Sequence, residues 1–214
     1  MRTSILDIFF PATCIFCGKE GEHCCQDCLS LVSLASHPSP LPAKSNLSGL
    51  FCATSFENRV IQKLIHSFKY PPFLRGLARP LAFLIVSHFA LLDNKIYPPD
   101  IIIPTPLHKR RLKWRGYNHT ELIANQLGHA FSVPVASNVL VKIKATKPQI
   151  RLNKKQRLQN MQGVFELQNK EAILGKTILL VDDVYTTGAT MQECARVLRQ
   201  AGTKHVFGAV VARD

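Results

Sequence analysis

Apolar residues fall into two rhythms along this chain. Val60, Ile61, Leu64, Ile65 and Phe68 recur at three- and four-residue steps with Lys and Gln between them, and the pattern stops before Pro71. This is the period of a helix with one buried face. Residues 76–92, 118–131 (Leu122, Ile123 and Leu127 on one face) and 189–200 predict three more helices. Unbroken apolar runs predict strands at 50–56, 101–103, 139–143, 177–181 and 205–212, the second closed by Pro104-Thr105-Pro106. Apolar strands alternating with helices imply an α/β fold, a parallel sheet covered on both faces.

Two stretches lack either rhythm. Residues 36–48 are rich in Ser and carry Pro38, Pro40 and Pro42, the composition of a linker. Residues 144–162 are basic and aperiodic, which predicts either disorder or a mobile functional loop. The expected organisation is a small module at 1–35, a linker at 36–49 and one large domain at 50–214. The apolar start of the chain is broken by Asp7 and leads to cysteines rather than to a small-residue cleavage site, so it does not read as a signal peptide. The longest later apolar stretch, about twelve residues at 81–92, contains Ser87 and His88 and falls short of the roughly 20 that span a bilayer. A soluble, cytoplasmic protein is expected.

There, thiols stay reduced and clustered cysteines point to metal. Cys14-x-x-Cys17 and Cys25-x-x-Cys28 are separated by seven residues, a spacing that lets four thiolates reach one tetrahedral Zn2+. Four thiolates leave no open position, so the zinc would be structural. Cys24 adjoins the third ligand and could substitute for it, although only Cys25 completes a pair with Cys28. Cys52 and Cys194 lie in apolar surroundings and read as small core residues.

The strand at 177–181 runs into Asp182-Asp183-Val184-Tyr185-Thr186-Thr187-Gly188-Ala189-Thr190. A helix N-terminus offers unpaired N–H donors and a favourable dipole to a phosphate. The hydroxyls of Thr186, Thr187 and Thr190 add donors, and Gly188 lets the backbone come close. Two acids beside such a pocket would repel a phosphate unless they hold sugar hydroxyls or a hard cation such as Mg2+. The alternative is an N-capped turn with solvated acids.

The net charge of +13 calls for an anionic partner. Residues 109–157 hold twelve Lys or Arg against Glu121, which leaves +11 in that stretch. Trp114 and Tyr117 lie among Lys109, Arg110, Arg111, Lys113 and Arg115, and Arg151, Lys154, Lys155 and Arg157 follow later. These residues suit the phosphates of single-stranded DNA, with the two rings stacking bases. The alternatives are a solvated basic surface, or rings packed in the core with the arginines on a pyrophosphate.

The acid pair followed by Thr-Thr-Gly-x-Thr is similar to the ribosyl-phosphate fingerprint of type I phosphoribosyltransferases. That resemblance implies that Asp182 and Asp183 hold ribose hydroxyls, with residues 184–190 binding the phosphoribosyl group and Thr186 to Thr190 holding its 5-phosphate. It further implies that Thr105, Pro106, Leu107 and His108 cradle pyrophosphate, and that residues 144–165 form a hood. With the four-cysteine knuckle, Arg115-Gly116-Tyr117-Asn118 and Arg157-x-x-Asn160 before Gly163-Val164-Phe165, nearly the whole chain resembles the ComF family of competence proteins. His119 stands where glutamine is frequent in that family.

The ComF resemblance implies a protein that binds phosphoribosyl pyrophosphate with Mg2+, binds single-stranded DNA and assists its uptake into the cytoplasm in natural transformation. DNA-uptake proteins at the inner membrane would be its partners, and its place would be cytoplasmic or peripheral at that membrane. The alternative is an active phosphoribosyltransferase that moves ribose 5-phosphate to a nucleobase or amine and releases pyrophosphate.

Overall fold

The computed structural model describes residues 11–92, 98–146, 156 and 160–214. Its centre is a four-stranded sheet of β1 (Gly49–Ser55), β2 (Ile101–Pro104), β5 (Thr177–Tyr185) and β6 (His205–Arg213), in the order β1-β6-β5-β2 with every pairing parallel. A separate antiparallel pair joins β3 (Leu140–Lys142) to β4 (Phe165–Leu167). The expected parallel α/β sheet is present, in the type I phosphoribosyltransferase fold.

Helices close both faces. On one side α2 (Arg59–Lys69), α3 (Ala78–Leu91) and α5 (His119–Phe131) bury Leu64, Phe68, Leu81, Ile85 and Leu127 against Leu179 and Val181. On the other, α6 (Ala189–Gln200) and the β3–β4 pair bury Met191, Cys194, Leu198 and Phe165 against Ile178 and Leu180. Each such side chain contributes about 1.5–3 kcal/mol by leaving water, so the two layers hold the sheet rigidly. Asn58 starts α2 by accepting from Val60 N and Ile61 N at 2.9 and 3.3 Å.

Both outer edges of the sheet are covered by the chain itself. Along β1, Ala35 N donates to Ala53 O and Ser39 N to Leu50 O, each at 2.8 Å. Along β2, Ile102 N donates to Pro134 O and Ile102 O accepts from Ala136 N, each at 2.9 Å. Residues 36–48, expected as a linker, are also tied to α6. Gln192 bonds Ser45 Oγ and Asn46, and Arg199 reaches Asn46 O.

Besides the unexpected strand β4 and a short helix at Gln26–Leu29, two elements depart from the expectations. Residues 109–115 form a helix, α4 (Lys109–Arg115), that showed no period because every residue of it but Arg115 is exposed. Strand β5 runs four residues past Val181, so both acids belong to it: Asp182 pairs with Val210 and Val184 with Ala212. Most of the expected hood and its Arg151, Lys154, Lys155 and Arg157 lie outside the described residues. No described helix is long and apolar enough to cross a membrane.

At the N-terminal end the only described helix is the short α1 (Gln26–Leu29), inside the cysteine-rich segment. That segment leans on the large domain: Cys24 and Val32 join the core beneath α2 and α3, with Ile15, Phe16 and Leu29 packed against it. Lys63 on α2 donates to Ile15 O at 2.5 Å and lies over the Phe16 ring at 5.0 Å.

Candidate functional site

Strand β5 ends at Tyr185, and a tight turn through Thr186, Thr187 and Gly188 opens α6. Gly188 has φ 75°, and a Cβ there would lie 2.2 Å from the Tyr185 hydroxyl, so no other residue fits. Thr187 Oγ1 accepts from Ala189 N at 3.5 Å. A pocket lies at this turn, lined by Asp182, Val184, Tyr185, Thr186, Gly188, Ala189, Thr190 and Met191. Asp182 and all but Thr187 of the seven residues expected on the phosphoribosyl group line this one cavity.

The two acids diverge, because successive strand residues point to opposite faces. Asp182 lines the pocket on the α6 side. Asp183 is 2 % exposed and turned toward α2 and α5. Its Oδ2 meets Lys69 Nζ at 2.5 Å and His119 Nε2 at 3.2 Å, while Oδ1 accepts from Val184 N at 2.7 Å. Arg115 Nη1 lies 2.5 Å from His119 Nδ1. A guanidinium only donates, so His119 carries its proton on Nε2 and gives it to Asp183.

Electrostatics follow that geometry. Burial pushes His119 down to about 4, outweighing the pull of Asp183, so the ring is neutral. Burial alone would raise Asp183, but the Lys69 ammonium and the His119 hydrogen bond hold its carboxyl well below the usual range. Burial, then the neighbouring Asp183 charge, pushes Asp182 up to about 7. Asp183 is therefore held as a charged brace, and Asp182 is the acid that lines the pocket.

His119, Asp182 and Asp183 bring one ligand atom each within 4.8 Å of one another. Lys69 and the His119 N–H already occupy Asp183, so of the two acids Asp182, whose Oδ1 accepts from Asp183 N at 3.0 Å, is the one that could take Mg2+. The ligand's own oxygens would have to complete the ion's shell.

Thr105 joins the second loop to the first. Thr105 N donates to Val181 O at 2.9 Å, and its carbonyl accepts from Thr120 Oγ1 at 2.7 Å and Asn118 Nδ2 at 3.1 Å. Pro106 and Leu107 are half-buried there, and His108 caps α4 by accepting from Arg110 N at 3.3 Å. Sequence reasoning missed Lys69, Asn118 and Thr120 as parts of this frame. It also missed Lys142, which burial and Arg111 hold below its ordinary range while Asp182 pulls the other way. Lys69 carried no signal, since it reads as the polar end of an amphipathic helix.

The basic residues separate by exposure. Lys109, Arg110, Arg111, Lys113 and Trp114 are exposed, whereas Arg115 is buried against His119. Tyr117 corrects the expectation of base stacking: it is 7 % exposed, its hydroxyl donates to Phe68 O, and Arg75 covers its ring at 4.7 Å.

The Sγ atoms of Cys14, Cys17, Cys25 and Cys28 lie within 4.8 Å of one another. Cys17 and Cys25 are 3.6 Å apart, near the about 3.8 Å edge of a tetrahedron with 2.3 Å Zn–S bonds. Backbone N–H groups, among them Cys25 N at 3.5 Å, outweigh burial and bring Cys14 down to about 6, toward the thiolate a metal takes. Cys24 stands apart, in the core, where burial pushes it up to about 12. The donor set fits zinc, and Cys24 is not part of it.

Residues 122–214 match the family described as phosphoribosyl transferase domain. Over 197 residues the chain is 31 % identical to Competence protein F of Haemophilus influenzae, covering 90 % of this chain and 81 % of that protein. The chain belongs to the ComF family. Its similarity to other proteins of this kind includes Competence protein ComFC of Bacillus subtilis, at 35 % identity over 68 % of this chain and 56 % of that one. DNA utilization protein YhgH of Salmonella typhimurium is 30 % identical over 67 % of this chain and 63 % of its own length. Against these two the ComF chain described here spans less than two thirds of the relative. Among solved structures, glutamine phosphoribosylpyrophosphate amidotransferase from B. subtilis overlays 70 % of this chain and 30 % of its own, with TM-score 0.46 and 16 % identity. A hypoxanthine phosphoribosyl transferase from Trypanosoma cruzi overlays 65 % and 64 %, with TM-score 0.38 and 17 % identity.

Proposed function

We propose that this chain binds phosphoribosyl pyrophosphate with Mg2+ in the pocket at the start of α6, binds single-stranded DNA on its basic surface, and assists DNA uptake into the cytoplasm in natural transformation. The observation that carries the sugar-phosphate reading is the pocket itself: one carboxylate, Asp182, facing the hydroxyl-rich turn and N-terminus of α6. The 5-phosphate takes the N–H groups and hydroxyls of that turn, and Asp182 takes the ribose hydroxyls. Asp183 stays behind, keeping Lys69 and His119 in place. Mg2+ at Asp182 neutralises charge on the pyrophosphate, which lies along residues 105–108. Zinc in the four cysteines serves structure. The DNA-related names of the relatives, together with the exposed cations of α4, support the second half of the proposal.

Calorimetry tests the pocket. Titrating phosphoribosyl pyrophosphate into the protein with Mg2+ should release heat that an Asp182→Asn variant does not, and silence from the parent protein ends the sugar-phosphate reading. Transformation frequency of a deletion strain tests the biology, where normal uptake would end it. Thr105 N donates to Val181 O at 2.9 Å, which brings the loop 105–108 beside Asp182, where a displaced pyrophosphate would lie. That favours phosphoribosyl transfer as a second reading, which pyrophosphate release across a panel of nucleobases would reveal.

A further inference from the structure

The corner where α2 and α4 meet carries an exposed group of rings that the ribosyl-phosphate pocket does not use. Trp114 is 56 % exposed and Tyr70 38 % exposed. Phe73 packs edge-on against Trp114 with centroids 5.2 Å apart and planes at 80°, and Tyr70 meets it at 6.4 Å and 61°. Phe73 holds φ 56°, a left-handed conformation that bulky residues avoid and that structures retain mainly at functional positions. Behind it stands Tyr117 at 6.4 Å, itself fixed by Phe68 and Arg75. The rings are thus held from below and open above.

Their surroundings are cationic. Lys109, Arg110, Arg111 and Lys113 are exposed on the same helix as Trp114, that helix has no acidic residue, and no described carboxylate pairs with any of the four. An acid-free row of cations beside open aromatic faces matches the two parts of an unpaired nucleic-acid strand, its phosphates and its bases.

We infer that Tyr70, Phe73 and Trp114 form a platform on which an unpaired nucleobase stacks while the phosphates of the same strand lie along α4. The inference rests on the proposal that the chain binds single-stranded DNA and names where the bases go. Tyr70 follows Lys69 and Trp114 precedes Arg115, the two residues that reach Asp183 directly and through His119, so the platform adjoins the Asp183 brace on the α2 and α5 side of β5.

Trp114 is the single tryptophan of the chain, so its fluorescence reports on the platform without a label. A short oligothymidylate at low ionic strength should quench it. An abasic strand of equal length should bind about tenfold more weakly, the loss expected for one stacked base. Trp114→Ala should bind oligothymidylate as weakly as the parent binds the abasic strand, whereas Trp114→Phe keeps most of the affinity. Equal affinity for both strands with unchanged fluorescence overturns the platform and leaves DNA binding standing. No binding of either strand overturns both, and stronger quenching by an acidic peptide than by the oligonucleotide assigns the surface to a protein instead.

Discussion

Asp182 and Asp183 are identical in sequence and opposite in role, and alternation along β5 is the reason. The raised value of about 7 on Asp182 makes its charge depend on pH near neutrality. If the ionised form grips sugar hydroxyls and Mg2+, affinity for phosphoribosyl pyrophosphate should climb as pH rises through 7, which calorimetry at pH 6 and pH 8 would register. Stability runs the other way. The folded acid holds its proton up to about 7, whereas the unfolded one loses it near 3.8. The folded state then binds more protons between those values, so the Asp182 contribution to stability falls as pH rises across that window. Asp182→Asn cannot titrate, so its stability relative to the parent should grow from pH 4 to pH 7 and level off above, as denaturant melts at successive pH values would show.

Helix α2 is joined to the centre of the sheet by the Lys69–Asp183 contact at its last residue. Lys69→Met removes the charge that holds Asp183 ionised and leaves a buried carboxylate with only a neutral imidazole and a backbone N–H. A loss of about 3 kcal/mol is expected from denaturant unfolding. The double variant Lys69→Met with Asp183→Asn should recover most of it, because nothing buried is then charged. At this scale the helices 60–68, 118–131 and 189–200 were legible, since each buries one face and shows the 3.6 period. α4 was not, because six of its seven residues face solvent and its first-turn cap is a histidine. The turn into α6 was legible from Gly188 and its threonines. The brace behind it was not, because Lys69 and Asp183 are 114 positions apart and only the tertiary fold brings them together.

For the molecule as a whole, the cysteine-rich segment packs on α2 and α3 through Ile15, Phe16, Cys24 and Val32, so folding around a metal held by its four cysteines would be coupled to docking on the domain. Cys25→Ser should therefore lower both zinc content and melting temperature. Cys24→Ser, which alters a core thiol, should keep its zinc and lose stability alone; metal analysis beside thermal melts separates the two. The parallel sheet was readable from its apolar strands, but the self-covered edges were not, because residues 36–48 and 134–136 carry no strand pattern. Those edges have a consequence for assembly. With 35–39 bonded along β1 and 134–136 along β2, both rims of the four-stranded sheet are covered among the described residues. A protein partner would therefore have to meet this chain through its helices, its loops or the cysteine module rather than by adding a strand to the four-stranded sheet.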